Sequence, residues 1–225
     1  LFRPLDPQSL AAPPPPLDTL PTFSNWRAVN IQALVHGRTT ALPDGRLKIE
    51  FRLWDVVAEQ EMLGRAYSTP TTNWRRIAHV IADAIYKRIT GEDGYFDTRI
   101  VYVAESGPRS RRTKRLAIMD QDGANHQFLT DGMSLVLTPR FSPSSQNVAY
   151  LRYVEGQPRV HIRNLVTRGD DPLSGLPGIT LAPRYAPDGE RLVVSMAIEG
   201  NTDIYTYDFR DQTRRRLTTA SAFDV

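Results

Sequence analysis

The chain has 225 residues, no cysteine, 40% hydrophobic residues and a formal net charge of +3. This hydrophobic content supports a packed core and argues against disorder, and the length suits one large domain or two medium ones. The lack of cysteine excludes disulfides and thiolate chemistry, and no apolar run reaches the roughly 18 residues that a membrane span requires.

Residues 1–22 are proline-rich, and prolines occupy positions 13–16 without a break. Because proline fixes φ and lacks a backbone donor, this segment is predicted to be an extended surface connector. A docking peptide for a proline-reading module is the alternative. The sequence starts at Leu1 rather than Met and shows no signal peptide, so we expect an N-terminal piece to have been removed or to lie outside it.

Residues 23–93 are predicted to form an α/β domain. Ser24 is placed to cap a short helix that carries Trp26 and Val29. A strand over residues 33–40 follows this helix and opens a small sheet.

A hairpin turn is predicted at Pro43-Asp44-Gly45, because Asp-Gly tolerates the positive φ of tight turns. Residues 47–53 alternate between apolar and polar, and this period of two predicts a strand with one buried face. A third strand over residues 62–68 is expected to return antiparallel to it.

The clearest predicted helix follows these strands. Thr71 or Thr72 is placed to cap it, and Gly91 stands where the helix end needs a left-handed residue. Trp74 is predicted to anchor the core rather than to serve as a binding platform. The apolar residues at helical spacing are Trp74, Ile77, Ala78, Ile81, Ala84, Ile85 and Ile89.

The second half of the chain contains a repeat. The sequence Pro-Arg-Phe-Ser-Pro at 139–143 returns as Pro-Arg-Tyr-Ala-Pro at 183–187, 44 residues later. Asp120, Asn164 and Asp208, which each close a short apolar run, follow the same spacing of 44. A period of about 40–45 residues built from short strands is typical of propeller blades, which bury their apolar faces by stacking.

Each repeat is predicted to hold four antiparallel strands, and the inner strand carries the Pro-x-aromatic motif. The first repeat lacks this motif and the third ends near Thr218, so we expect an incomplete ring whose missing C-terminal part supplies the first inner strand. The first repeat also has four extra residues in the basic loop 105–114, which is predicted to lie on the surface.

These features together resemble the TolB family. The propeller motif is shared with prolyl-oligopeptidase-like propellers, but the segments 1–6, 33–38, 43–45 and above all 89–103 resemble TolB. The resemblance implies an α+β fold in two domains, with a small N-terminal α/β domain and about three of six propeller blades. The expected bounds are 1–93 for the first domain, truncated at its start, 94–98 for a linker and 99–225 for the propeller, with blades at 99–131, 138–176 and 182–218.

The same resemblance implies a periplasmic protein-binding scaffold of the Tol–Pal system, which supports envelope integrity and outer-membrane constriction during cell division. Its expected partners are the peptidoglycan-associated lipoprotein Pal, at the propeller mouth, and TolA, through an N-terminal segment absent from this sequence. Colicins use such proteins for import. We expect a monomer without cofactor, metal or catalytic residue.

The resemblance places the Pal-facing surface at the loops that lead into the inner strands, 133–139 and 178–183. Ile179 stands where the family has a polar residue, which is a departure from the family pattern. The expected contact residues are Leu137, Thr138, Pro139, Arg140, Ile179, Ala182, Pro183 and Arg184.

Two points about this surface stay open at the level of sequence. Ala182 and Pro183 are explained equally well by the geometry at the start of a strand and by contact with a partner. Arg140 and Arg184 are placed either to bind an acidic partner surface or to pair with acidic residues within the ring.

Catalysis and nucleic-acid binding find little support in the sequence. The four histidines, His36, His79, His126 and His161, show no metal-ligand spacing, and no nucleophile elbow, phosphate loop or dinucleotide fingerprint occurs. The basic clusters 109–115 and 214–216 lack interleaved aromatics, so solvated loops or partner contacts are favoured over nucleic acid.

Two other functional classes remain as alternatives. The propeller of a prolyl-oligopeptidase-like serine peptidase would need a downstream hydrolase domain, whereas the α/β region here lies upstream. A propeller enzyme or sugar-binding module would need convergent carboxylates or aromatics on the channel-facing strands.

Overall fold

The computed structural model describes Arg3, Leu5, residues 15–220 and Asp224. Most of the predicted proline-rich connector therefore lies outside the described residues. Contacts divide the chain into a compact unit that ends at Asp97 and a second unit that begins at Thr98. The domain and blade bounds given by the sequence analysis stay predictions.

The first unit is built on a three-stranded antiparallel sheet. Its strands β1 (Ala33–Ala41), β2 (Arg46–Asp55) and β3 (Gln60–Pro70) pair in chain order and follow the short helix α1 (Phe23–Ala28). In the turn between β1 and β2, Gly45 has a φ of 80°, which residues with a Cβ rarely adopt. The three predicted strands and this turn are confirmed.

Both faces of β2 carry buried residues near its C-terminal end. Phe51 is buried on the predicted face, but Trp54 is buried on the other, because Phe23 of α1 packs edge-on against it with ring centres 5.8 Å apart. The indole Nε1 donates to His36 Nε2 at 2.9 Å, so His36 Nδ1 carries the proton and donates to the Pro15 carbonyl at 3.1 Å. The prediction of a single buried face was therefore wrong.

Both helices lack the caps that the sequence indicated. Ser24 lies inside α1, and the cap position falls to Thr22, whose side chain makes no capping hydrogen bond. The helix α2 (Trp74–Thr90) follows the 3-10 turn Thr71–Asn73, which contains both candidate threonines. Its cap position falls to Asn73, again without a capping hydrogen bond from the side chain.

The two ends of α2 differ in how well the sequence predicted them. Gly91 ends the helix in the left-handed conformation, and its N–H donates to the Lys87 carbonyl at 2.9 Å, as predicted. Trp74 is 50% exposed, with the Arg75 guanidinium 5.3 Å from the centre of its ring. The prediction that Trp74 anchors the core was wrong, because helical spacing identifies the apolar face but not what covers it.

The second unit contains three antiparallel sheets that follow one another along the chain, in the orders β4-β5-β6, β7-β8-β9-β10 and β11-β12-β13-β14. The four-stranded blades predicted for the second and third repeats are confirmed, and within the described residues the first sheet has no inner strand, as predicted. The bounds are β4 Arg99–Ser106, β5 Thr113–Asp120, β6 Gln127–Phe128, β7 Val136–Phe141, β8 Asn147–Val154, β9 Gln157–Asn164, β10 Asp170–Pro172, β11 Ile179–Tyr185, β12 Arg191–Ile198, β13 Asn201–Asp208 and β14 Arg214–Arg216.

Stacking of these sheets buries their apolar faces, as the repeat requires. Strand β11 contacts β7, β8 and β9 of the preceding sheet, and β4 contacts β7. One core cluster joins the first and second sheets, and it includes Leu116, Val136, Val148 and Tyr150. Another joins the second and third sheets, and it includes Leu151, Val160, Leu192, Val194 and Met196.

The turns that follow the inner strands also touch. Gly189, in the Pro-led turn of the third sheet, lies so close to Ser144 of the second sheet that an added Cβ would collide with the Ser144 Oγ. Ser142 Oγ is 3.3 Å from the same Cβ position. Only glycine fits this contact without a shift, and its φ of 73° favours glycine as well.

Candidate functional site

A β-bulge interrupts each inner strand near its start. The pairing shifts register just before Arg140 in β7 and just before Arg184 in β11. At these bulges Thr138 and Ala182 have φ values of 47° and 48°. Residues with a Cβ seldom adopt this conformation, and the residue before a proline is normally extended, so each bulge stores about 1–3 kcal/mol of backbone strain.

The two arginines that follow the bulges are exposed and hold the bulge backbone. Arg140 Nη1 donates to the Pro139 carbonyl at 3.0 Å, and Arg184 Nη1 donates to the Pro183 carbonyl at 3.1 Å. Within the part of the chain that the structure describes, neither guanidinium forms an ion pair. Their remaining N–H groups therefore face solvent as charged donors at equivalent positions of neighbouring blades.

The other predicted contact residues differ in exposure. Thr138 is exposed, whereas Pro183 is fully buried, so its side chain offers no surface to a partner. Leu137 packs against the core between the second and third sheets. The remaining predicted residues, Pro139, Ile179 and Ala182, are half-buried.

Two apolar residues on the loop into β7 are exposed, although they were not among the predicted contacts. Met133 is 90% exposed and Leu135 is 41% exposed. Leu135 lies 44 residues before Ile179, so both inner strands begin beside an apolar side chain. The sequence could have indicated this exposed residue, because Met133 is an apolar residue within the polar run Asp131-Gly132-Met133-Ser134. We call residues 133–140 and 178–184 the mouth surface.

A polar cluster lies on the face that the second sheet turns toward the first. Its centre is Asp170, whose two carboxylate oxygens each lie 2.7 Å from the Tyr150 hydroxyl donor. Arg152 Nη1 and Arg163 Nη1 lie 3.4 and 3.5 Å from Asp170 Oδ2, and His161 Nδ1 lies 3.5 Å from Oδ1. Arg152, Arg163 and Asp170 help to line a cavity of about 150 Å³. We call these five residues the Asp170 cluster.

The contacts within this cluster decide its charge. Burial alone raises the pKa of the Asp170 carboxyl, but contacts from His161 and Tyr150 and the nearby Arg163 cation hold the pKa below its ordinary value. Burial, followed by the hydrogen bond to Asp170, raises the pKa of Tyr150. The cluster is thus an ionised carboxylate enclosed by donors, which suits it to bracing strands β8, β9 and β10.

The described residues were compared with two other kinds of site, a metal centre and a membrane span, and fit neither. Within them, no group of three or more histidine, aspartate or glutamate side chains is placed to hold a metal ion. None of the helices in the described ranges is long and apolar enough to cross a membrane.

Comparison with known proteins identifies two family models along the chain. A family model for the TolB beta propeller domain matches residues 86–225, and one for the TolB amino-terminal domain matches residues 1–62. The Tol-Pal system protein TolB of Paramagnetospirillum magneticum (strain ATCC 700264 / AMB-1) is 55% identical over 180 residues, which are 80% of this chain and 40% of that protein.

Solved structures add a likeness in fold. The crystal structure of TolB from Acinetobacter baumannii matches with a TM-score of 0.77 and 29% identity, over 90% of this chain and 51% of that one. An acylaminoacyl peptidase from Pyrococcus horikoshii reaches a TM-score of only 0.41 at 13% identity, over 53% of this chain and 24% of that one.

The chain spans 40% of the length of the curated relative and 51% of the Acinetobacter structure. The propeller model alone matches more than half of the chain, and the amino-terminal model matches the part before it. The two family models and the structural match with a TM-score of 0.77 agree on the architecture. It is a small N-terminal domain followed by propeller blades. The chain therefore belongs to the TolB family.

Proposed function

We propose that this chain is part of a periplasmic protein-binding scaffold of the Tol–Pal system, and that its mouth surface binds Pal. The observation that carries the proposal is the repeated bulge, which sets Arg140 and Arg184 at equivalent positions with free donors. The 55% identity to a protein named for the Tol-Pal system supports the choice of system.

The mouth surface combines an apolar anchor with charged donors. Met133 is nearly fully exposed, so its burial by a partner would remove apolar area from water, and a few such anchors dominate most interfaces. The arginines beside it would add charge-assisted hydrogen bonds to carboxylates or carbonyl groups of Pal. Because the bulges hold the backbone in a fixed conformation, little ordering would be needed on binding.

The wider role follows from the same system. We propose that the protein connects Pal at the outer membrane with the inner-membrane Tol proteins, and that TolA binds its N-terminal region. In this role it would maintain envelope integrity and outer-membrane constriction during division, and colicins would use it for import. The scaffold acts by binding, as a monomer without cofactor, catalysis or nucleic acid.

Calorimetry of the full-length protein with purified Pal tests the proposal. We expect one-to-one binding that Arg184→Glu weakens at least about tenfold, because the reversed charge repels the acidic groups that Arg184 attracts. Met133→Ala should weaken binding by about the same factor through lost apolar burial. Arg168→Glu is the control, since Arg168 is also exposed but lies in the turn between β9 and β10 at the opposite end of β9.

The possible results of this experiment test the proposed function and the proposed binding site separately. Absence of binding to Pal would overturn the proposed function. Binding that both mouth variants leave unchanged would place the Pal site elsewhere on the protein.

A further inference from the structure

One of three equivalent hairpins differs sharply from the other two. The β8–β9 and β12–β13 hairpins close with the two-residue turns Glu155-Gly156 and Glu199-Gly200, in which all four residues have positive φ. Such turns match the twist of the strands and need no further residues. The β4–β5 hairpin instead closes beyond the pair Ser106–Thr113, with six residues between them. We call residues 107–112 the basic finger.

The basic finger has a defined conformation. The Arg111 N–H donates to the Pro108 carbonyl at 2.9 Å, which closes a turn with Arg109 and Ser110 at its tip. Gly107 has a φ of 87°, and a Cβ added there would lie 2.9 Å from the Arg111 carbonyl oxygen. All six residues of the basic finger are exposed.

Only part of the positive charge of this hairpin is neutralised. Glu105 lies 2.8 Å from Lys114 and 3.4 Å from Arg112. The hydrogen bond and charge of Lys114 lower the pKa of Glu105, so this carboxylate is ionised. Arg109 and Arg111 are exposed and form no ion pair with any residue that the structure describes. Two free guanidinium groups thus remain at the tip, where the other hairpins carry a glutamate.

The basic finger and the mouth surface lie at the same end of the sheets. Strand β7 begins where β8 ends, and the β4–β5 tip is equivalent to the β8–β9 tip. Residues next to the two surfaces pack closely: a Cβ added to Gly132, the neighbour of Met133, would lie 2.5 Å from Cγ2 of Thr113, the residue after the finger, and 2.9 Å from Arg115 Nε. A partner on the mouth surface would therefore come within reach of the finger.

We infer that the basic finger recognises an acidic segment of the protein partner that docks on the mouth surface, an inference that rests on the proposed function. Guanidinium groups bind carboxylates through paired hydrogen bonds, and charges at the rim of an interface chiefly accelerate association. The finger contains no apolar residue to enter a membrane, and its two free cations are fewer than the about 4–8 that mark lipid-binding clusters. It has no aromatic ring on which a nucleic-acid base could stack.

Association kinetics with Pal test this inference. We compare the full-length protein with Arg109→Gln/Arg111→Gln and with a variant whose residues 107–112 are replaced by Glu-Gly, the turn of the other two hairpins. The association rate should fall about tenfold at low salt, with a small change in dissociation rate, because steering acts on the encounter. The difference should vanish near 0.5 M salt, where the screening length shrinks to about 4 Å.

A double variant elsewhere controls for net charge. Arg168→Gln/Arg215→Gln removes two exposed arginines that, among the described residues, also form no ion pair, and it should leave the association rate within about twofold because charges distant from the encounter site are screened. Thermal unfolding of each variant checks the fold. If the variant with the shortened hairpin does not fold, Arg109→Gln/Arg111→Gln alone tests the inference.

Further measurements separate this inference from the proposed function. If Pal binds the wild type and the finger variants at equal rates at all salt concentrations, the inference fails while the proposed function stands. If Pal does not bind the wild type, an oligoglutamate peptide replaces it as probe, and salt-sensitive binding that the finger variants lose supports an acidic partner. No binding of this peptide, or finger-dependent binding only to phosphatidylglycerol vesicles, would overturn the inference.

Discussion

The second and third sheets of the propeller share one strand order but differ in the face that each turns toward the preceding sheet. In the second sheet this face carries the Asp170 cluster, and in the third it is mostly apolar. The two sets lie 44 residues apart: Tyr150, Arg152, His161, Arg163 and Asp170 correspond to Val194, Met196, Tyr205, Tyr207 and Arg214.

The 44-residue period therefore specifies the strands and turns, but it does not determine whether the face that packs on the preceding sheet is polar or apolar. An apolar face is stabilised by burial, whereas each buried group of a polar face costs free energy unless it finds a partner. In the second sheet the single carboxylate of Asp170 partners a hydroxyl and two guanidinium groups. The two interfaces should therefore respond differently to truncation, to charge removal and to pH.

Truncation of the apolar face should have the largest effect. Met196 is fully buried among the residues that join the second and third sheets. Met196→Ala should lower the free energy of unfolding by about 2–5 kcal/mol, because it leaves a cavity between the sheets. Urea denaturation measures this loss, and Met133→Ala, at an exposed methionine, should change stability by less than about 0.5 kcal/mol. Equal effects of the two variants would contradict the assigned packing.

Loss of the central carboxylate should have an intermediate effect. Asp170→Asn should lower the free energy of unfolding at neutral pH by about 1–3 kcal/mol, because the arginines and Tyr150 lose a charged acceptor. Asp171→Asn is the matched control, since this neighbouring aspartate is exposed. A control that destabilises as much as Asp170→Asn would rule out a special role for the cluster.

The same variant should change how stability depends on pH. The pKa of Asp170 is below its ordinary value of 3.8 in the folded protein, so its stabilising contribution is present above that value. The contribution is lost as pH falls through the lower folded pKa, because the protonated carboxyl no longer pairs with the cations. The wild type should thus converge on Asp170→Asn between neutral and strongly acidic pH, and a constant difference would contradict the ion pairs.

The bulge that both sheets share should give the smallest effect, and an equal one in each sheet. Ala182→Gly should raise the free energy of unfolding by about 1 kcal/mol through relief of left-handed strain, and Thr138→Gly should do the same in the second sheet. Ala186→Gly, where φ is not positive, should instead lower it by about 0.5–1 kcal/mol. Destabilisation by all three would mean that the bulges are unstrained.

Much of the fold could be predicted because local rules encode it. The 44-residue period and the Pro-led turns specify the strands of the second unit, and Gly45 and Gly91 mark conformations that other residues avoid. The burial of Trp54 and the exposure of Trp74 could not be predicted, since periodicity identifies an apolar face without showing which element covers it.

The sequence predicted where the candidate site lies better than it predicted the backbone conformation and exposure of its residues. The motif places Arg140 and Arg184 at the inner strands, but the left-handed bulges at Thr138 and Ala182 have no sequence pattern, because neither residue is glycine. Pro183 is fully buried, whereas its equivalent Pro139, at the same kind of bulge, is half-buried. Burial also depends on the neighbouring blade, which no single repeat encodes.

The nesting of Gly189 against Ser144 makes the two complete blades non-interchangeable. The residue equivalent to Gly189 in the second sheet is Ser145, 44 positions earlier, and its Cβ would occupy the space that glycine leaves empty. Transposing the two blades would therefore force side chains at this contact to shift, although both blades have the same strand order. The absence of a side chain at Gly189 thus favours one order of the two blades.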